Sequence, residues 1–307
     1  MLRDLYGRVV TNLRIAVTQR CNLNCFYCHR EGEKNPGKEI SAERIVELAE
    51  VFKTLGIKKV KFTGGEPLLR KDLPDILSNL PEFDEVSITT NGILLADLAY
   101  ELKECGLDRV NVSLDTLNGY VYRKITGGGD IERVLHGIEC ACDARLTPVK
   151  VNMIVMKGIN EFEVDEMLKF VNSFNKGEVR AILQIIELLK TPNLEKYYYD
   201  ISKIEKKYSE RAYHVKVRAM HKRKQYWLKE GVIEFVKPLD NTEFCMNCNR
   251  IRITSDGRLK LCLLRDDVVD LNNLHGEELI KAIKQAVLLR KPYFLGENVN
   301  KNTSRDS

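Results

Sequence analysis

The stretch Thr18-Gln19-Arg20-Cys21-Asn22-Leu23-Asn24-Cys25-Phe26-Tyr27-Cys28 sets three cysteines at C-x3-C-x2-C spacing directly behind the first strand-like run, Leu13–Thr18. Three thiolates can hold three irons of a [4Fe–4S] cluster and leave the fourth iron open to another ligand. A structural zinc site is the alternative. It normally closes a tetrahedral shell with a fourth Cys or His, a place His29 could take.

Outward from this segment, β-rich apolar runs alternate with longer segments that are apolar at helical spacing, the pattern of βα units around a parallel sheet. The expected strands are Leu13–Thr18, Lys58–Thr63, Val86–Thr90, Arg109–Leu114, Pro148–Met156 and Val179–Glu187. The expected crossovers are Ser41–Leu55, Leu73–Leu80, Leu94–Glu104, Ile131–Ala144 and Glu163–Phe174, with Ser41 as an N-cap. Chemistry in such sheets gathers where strands end at the carboxyl edge. There stand Thr63-Gly64-Gly65-Glu66-Pro67, Thr89-Thr90-Asn91-Gly92 and Ser113-Leu114-Asp115. Glycines let backbone approach a ligand closely and Glu66 offers an acceptor for an ammonium group, although all three segments also suit turns and helix caps.

Beyond Thr191-Pro192 the pattern changes to a polar, tyrosine-rich helix (Leu194–Glu210), a basic segment (His214–Lys229) and short strands near Ile251–Thr254 and Arg258–Leu261. The domain change is placed near residue 212, giving domains 1–212 and 213–307. A second cysteine set, Cys245, Cys248 and Cys262, has C-x2-C-x13-C spacing. Alone it reads as a zinc knuckle lacking one ligand; beside the first set it argues for two clusters. Arg250 and Arg252 alternate on a strand, so both guanidiniums point one way, toward an anion or purine. Arg14, Lys61 and Lys150 are likewise charges inside apolar strands, where a ligand is a better explanation than an unpaired charge.

The 307 residues suffice for one large core or two domains, and a net charge of +5 leans toward an anionic partner. An odd count of nine cysteines, with neither an export signal nor an apolar run of membrane length, points to metal binding in the cytoplasm rather than disulfides. Cys105, Cys140 and Cys142 fall in helical patterns and read as small buried hydrophobes. The alternating stretch His214–Lys224 reads as a half-exposed strand with a solvated turn rather than a nucleic-acid patch, Tyr197–Tyr199 as packing, and the tail Glu297–Ser307 as disordered.

The first triad, its place behind strand one and the Gly64-Gly65-Glu66-Pro67 turn resemble the radical S-adenosylmethionine superfamily. The second triad, Asn249-Arg250-Ile251-Arg252 and Leu13-Arg14-Ile15-Ala16-Val17-Thr18 narrow the resemblance to the GTP 3′,8-cyclase family over almost the whole chain. The resemblance implies an α/β fold: an incomplete (β/α)6 TIM-like barrel of the radical S-adenosylmethionine type, with a C-terminal α+β domain carrying a second cluster. It implies two [4Fe–4S] clusters, on Cys21, Cys25 and Cys28 and on Cys245, Cys248 and Cys262. S-adenosylmethionine would meet Tyr27, Gly65, Glu66, Ser113 and Leu189, and GTP would meet Arg14, Lys61, Thr89, Lys150, Arg250 and Arg252. In that family a 5′-deoxyadenosyl radical removes the 3′ hydrogen of GTP and C3′ joins C8, the first step of molybdenum-cofactor biosynthesis. An electron donor and a downstream cyclic pyranopterin monophosphate synthase are implied as partners, with neither membrane nor nucleic acid, and a homodimer is left open.

Lys61 stands where the family commonly has arginine, Gln184 where it often has arginine, and Leu189 where it usually has methionine. The family's terminal Gly-Gly is replaced by Thr303-Ser304-Arg305-Asp306-Ser307. Two other readings stand beside this one. A peptide-modifying two-cluster radical enzyme predicts a richer C-terminal cysteine set. A non-catalytic zinc-stabilised nucleic-acid binder predicts salt-sensitive binding and leaves the βα pattern and the Gly-Gly turn unexplained.

Overall fold

Alternation along each strand determines how this sheet is used. In β1 (Asn12–Ala16), Leu13 and Ile15 are buried while Arg14 faces the other way, and in β2 (Lys59–Thr63) Val60 and Phe62 alternate with Lys61. The same holds through β3 (Glu85–Thr90), β4 (Arg109–Ser113), β5 (Val149–Val155) and β6 (Ala181–Glu187). A parallel sheet covered on both faces reads as continuous apolar runs. Here one face builds the core and the opposite face carries charge.

The computed structural model describes residues 1–33, 36–239 and 241–293. The six expected strands pair in sequence order, all parallel. The later chain adds β7 (His214–Val217), β8 (Lys224–Leu228), β9 (Gly231–Val236), β10 (Arg250–Ile253), β11 (Leu259–Lys260) and β12 (Val268–Val269). These extend the same sheet at both edges, in the order β12-β11-β10-β1-β2-β3-β4-β5-β6-β9-β8-β7. β10 lies parallel to β1 and β9 parallel to β6, so two further parallel strands flank the expected six.

Helices α1 (Ala42–Thr54), α2 (Leu73–Ser78), α3 (Leu95–Glu104), α5 (Ile131–Asp143) and α6 (Val164–Asn172) occupy the expected crossovers, and the Ser41 side chain caps α1 by accepting from the Arg44 N–H. Their apolar faces pack on Leu13, Phe62, Ile88, Val112 and Val151 to form the main core. Elements outside the expectations include α4 (Gly119–Thr126), β9, α8 (Thr242–Met246), β12 and α9 (Gly276–Leu288). The tyrosine-rich segment is one 3-10 turn, Glu195–Tyr197, then the shorter α7 (Ser202–Arg211). The expected disordered tail lies outside the described residues.

A ribbon of Leu2–Arg3 with Val9–Val10 forms at the start of the chain, its first strand lying beside α9. Asp4 Oδ2 accepts from Arg8 Nε at 2.7 Å and from Arg290 Nη1 at 2.7 Å, with all three side chains buried. Those arginines also donate to the carbonyls of Cys245 at 3.2 Å and Cys248 at 2.6 Å. Asp4→Ala strands two buried guanidiniums, and removing one member of a buried ionic group costs about 3–5 kcal/mol. Chemical denaturation followed through Trp227, the chain's one tryptophan, should show that loss.

Candidate active site

The first cysteine loop is pinned from two sides. On one side, Gly65 N–H donates to Thr18 O and Glu66 N–H to Arg20 O, each at 2.8 Å. A Cβ on Gly64, whose φ is +148°, would sit 2.2 Å from Thr18 O, and one on Gly65 would sit 2.3 Å from Arg20 O. The glycine pair therefore serves a backbone-to-backbone approach that holds the strand leading to Cys21. On the other side, Asn24 N–H and Phe26 N–H donate to Thr126 O and Ile125 O at the end of α4.

Glu66 is fully buried and accepts from the Leu68 N–H at 3.0 Å, Thr90 Oγ1 at 2.7 Å and the Asn91 N–H at 2.6 Å. Those bonds tie the Gly-Gly turn to the end of β3. They use most of the carboxylate's acceptor capacity, whereas its sequence suggests an acceptor for a ligand ammonium. Burial lifts its pKa to about 7. Asn91 in turn reaches Asn22 at 2.7 Å and Cys21 Sγ at 3.9 Å.

Cys21, Cys25 and Cys28 stand close enough to act on one another electrostatically. Burial, then the Asp115 carboxylate and the other two sulfurs, pushes the Cys25 thiol up to about 12. Cys21 is raised by burial as well, while the Leu23 N–H donates to its sulfur and the Arg30 N–H donates to Cys28 Sγ, each at 3.4 Å. A bound cationic centre deprotonates such thiols outright, and N–H···S bonds of this kind tune iron–sulfur sites, so the donor set fits an iron cluster. Among the described residues no group of three or more His, Cys, Asp and Glu side chains is arranged to hold a single metal ion.

Tyr27 turns its ring into a small apolar cluster with Ile125, Met156, Leu188 and Leu194, and its hydroxyl donates to Asp115 Oδ2. Asp115, which lies just past β4, also accepts from the Ile154 N–H at 2.8 Å, and burial raises its pKa to about 6. Ser113 closes β4 opposite Asn152, and Leu189 stands half-buried just past β6, so both lie at the carboxyl edge with Tyr27.

The charged face holds the expected substrate residues together. Register places Arg252 beside Arg14, Arg14 beside Lys61, and Thr89 beside Asn111, itself beside Lys150. Lys61 Nζ donates to Asn111 Oδ1 at 2.9 Å. Glu31, three residues past Cys28, bonds Arg14 at 3.1 Å, lies 3.9 Å from Arg252 and accepts from Thr63 Oγ1 at 2.8 Å. Burial raises its pKa, but Arg14 and Arg252 outweigh that and hold it at about 2. At the far side Lys150 pairs with the buried Glu234 at 3.0 Å. Lys61 and Arg250 meet no carboxylate among the described residues; burial, then neighbouring cations, disfavours the charge on each. A guanidinium stays protonated in proteins, so an anion would offset this crowding of positive charge.

Arg250 and Arg252 also lie against the second cysteine set. Burial raises the Cys248 thiol, but Arg290, Arg250 and Arg252 together hold it below its ordinary value. Cys245 is raised by burial, is influenced by Cys248 and Cys262, and accepts from the Tyr293 N–H at 3.1 Å. Sequence reading missed Glu31 and Glu234 as site residues, and named Asp115 only as part of the strand end Ser113-Leu114-Asp115. It also took His214–Lys224 as strand plus solvated turn: the strand is present, but Arg218 and Arg223 from this stretch pair with buried Glu234 at 3.2 and 2.8 Å.

Residues 15–171 match the profile described as Radical SAM superfamily, and residues 181–295 that described as Molybdenum Cofactor Synthesis C. With more than half its length matched by the first, the chain belongs to the radical S-adenosylmethionine superfamily. It is 65% identical over 296 residues to the probable GTP 3′,8-cyclase of Archaeoglobus fulgidus, covering 96% of this chain and 100% of that one. Its identity to the proteins of the same name from Methanocaldococcus jannaschii and Pyrococcus horikoshii is 48% and 46%, covering 95% and 96% of this chain and 99% and 98% of theirs. Within the superfamily the chain is therefore a member of the GTP 3′,8-cyclase family. Among solved structures, Streptococcus suis SuiB bound to S-adenosylmethionine superposes with a TM-score of 0.59 at 15% identity, over 92% of this chain and 70% of that one. Native anSMEcpe with bound AdoMet gives 0.55 at 15% identity, over 90% and 82%. At that identity the likeness is one of fold.

Gly64→Ala should force Thr18–Arg20 away, costing about 1–3 kcal/mol as overpacked sites do. The same variant, reconstituted anaerobically, should retain less iron per chain than the wild type, because the displaced segment leads directly into Cys21.

Proposed function

We propose that this chain converts GTP to (8S)-3′,8-cyclo-7,8-dihydroguanosine 5′-triphosphate by radical chemistry, opening molybdenum-cofactor biosynthesis. One observation carries the reading: cations on the inner face outnumber their carboxylates and run between the two cysteine sets, where Glu31 of the first loop meets Arg14 and Arg252. Membership of the GTP 3′,8-cyclase family agrees with it.

Cys21, Cys25 and Cys28 hold one [4Fe–4S] cluster, and Cys245, Cys248 and Cys262 hold a second. When bound, the first cluster with S-adenosylmethionine would supply the radical needed for hydrogen abstraction from GTP. The residues of the chain do the positioning. Tyr27, Gly65, Ser113 and Leu189 line the carboxyl edge where S-adenosylmethionine sits, and Glu66 acts mainly by locking the Gly-Gly turn. Arg14, Lys61, Thr89 and Lys150 receive GTP on the inner face, with Arg250 and Arg252 directing its base toward the second cysteine set. Lys61 keeps the charge of the usual arginine without the bidentate fork.

Residues 1–212 form the radical domain and 213–307 the part that carries the second cluster. No helix among the described residues is long and apolar enough to cross a membrane. The reducing cytoplasm suits six thiolate ligands. A reductant is required there, and the product passes to a cyclic pyranopterin monophosphate synthase; a homodimer is compatible with this reading.

Anaerobic reconstitution followed by reductant, S-adenosylmethionine and GTP should yield about eight irons per chain, the content of two such clusters, with 5′-deoxyadenosine and 3′,8-cyclo-7,8-dihydro-GTP by mass spectrometry. 5′-Deoxyadenosine without cyclised nucleotide would remove the substrate, and zinc without iron would remove the whole reading.

A further inference from the structure

We infer that Arg223, backed by Arg218, supplies the guanidinium that Gln184 does not, and forms with Lys150 a subsite for the outer phosphates of a nucleoside triphosphate. The inference rests on GTP being the substrate. It begins with Glu234, whose side chain is fully buried in the middle of β9, opposite Gln184 of β6. Lys150 Nζ donates to both carboxylate oxygens at 3.0 Å, Arg223 Nη1 approaches at 2.8 Å, and Arg218 Nη1 at 3.2 Å. One buried negative charge thus faces three positive ones, of which Lys150 and Arg223 are largely shielded from water while Arg218 lies at the solvent edge. Burying charge without compensation is expensive, and the remaining positive charge calls for an anion with several acceptor oxygens.

Gln184 is the neutral link in this cluster. Its Oε1 accepts from Lys150 Nζ at 3.3 Å and Arg223 Nη1 at 3.2 Å, while its Nε2 donates to Asn152 Oδ1 at 2.8 Å. An arginine at 184 would set a fourth cation against Lys150 and Arg223, so a guanidinium at 184 and one at 223 are alternatives. Arg223 is aimed inward by the turn before it. His221 and Lys222 hold φ values of +61° and +50°, a left-handed conformation costly for non-glycine residues. His221 is buried and stacked on Phe244 with ring centroids 3.7 Å apart. Packing of that ring keeps the turn in place, and the buried Arg223 Nε has no hydrogen-bond partner among the described residues.

The test is calorimetric titration of the reconstituted full chain with GTP, GDP, GMP and tripolyphosphate. Arg223→Gln should weaken GTP about ten- to hundredfold, the loss of one charge-assisted hydrogen-bonded contact, and leave GMP within about twofold. The exchanged pair Gln184→Arg with Arg223→Gln should recover most of the GTP affinity, which a merely structural Arg223 would not allow. Iron content and thermal unfolding verify each variant; should Arg223→Gln not fold, Arg223→Lys keeps the charge beside Glu234, loses the fork, and should show the same selective loss for GTP over GMP. Equal losses for GTP and GMP, or none, overturn the inference. If the wild type binds no guanine nucleotide yet binds tripolyphosphate through Arg223, the GTP reading fails and the subsite stands. Tripolyphosphate binding indifferent to Arg223 removes the subsite.

Discussion

Parallel pairing of β10 with β1 is the contact on which the site depends. It brings residues more than two hundred positions apart into register, Arg252 beside Arg14 and Arg250 beside Asn12. Because side chains alternate across a strand, one pairing register delivers the cations of the second cysteine segment to the face that already carries Arg14 and Lys61. A slip of one residue would turn Ile251 and Ile253 toward the charges and drive Arg250 and Arg252 into the core. The apolar face thus enforces the geometry of the charged one.

That register leaves an electrostatic imbalance confined to one face. Glu31 serves Arg14 and Arg252, and Glu234 serves Lys150, Arg218 and Arg223, while Lys61 and Arg250 have neutral partners, Asn111 and the sulfur of Met220. Buried cations in this proportion are destabilising unless a ligand answers them. The two carboxylates do not neutralise the face; they orient it, each holding several side chains in one geometry. The imbalance resembles a preorganised receptor, whose charges are fixed before the ligand arrives rather than gathered by it.

Period-two and period-3.6 signals made the βα order through Glu187 legible, and cysteine spacing marked both triads. Arg14, Lys61, Lys150, Arg250 and Arg252 stood out because a charge in an apolar strand demands a reason, and the sheet does collect them. α4 was not legible, since a short helix opening Gly-Tyr-Val-Tyr has poor intrinsic propensity. β9 was hidden because Glu234 breaks its apolar run and its parallel partner β6 lies far back in the chain, although it also pairs with the adjacent β8. α9 lies outside the expected elements although Leu279, Ile283, Ala286 and Val287 recur at helical spacing. The direction of Arg223 depends on a left-handed turn at two non-glycine residues, for which composition gives no sign. Glu66 shows a further limit: its residue type suggested a ligand acceptor, but only coordinates reveal three donors from the chain itself.

The Asp4 clamp has a consequence in time. Arg290 reaches back to Asp4 and to the Cys248 carbonyl, while Arg8 reaches the Cys245 carbonyl and the carbonyl of Arg290. These bonds span up to 286 positions, so the loop of Cys245 and Cys248 gains its final shape only after Arg290 has been made. The first cysteine loop rests instead on Gly64-Gly65 and α4, both made much earlier. Assembly is therefore ordered: the amino-terminal thiols can be shaped on a nascent chain, whereas the second set waits for Arg290 to reach Asp4.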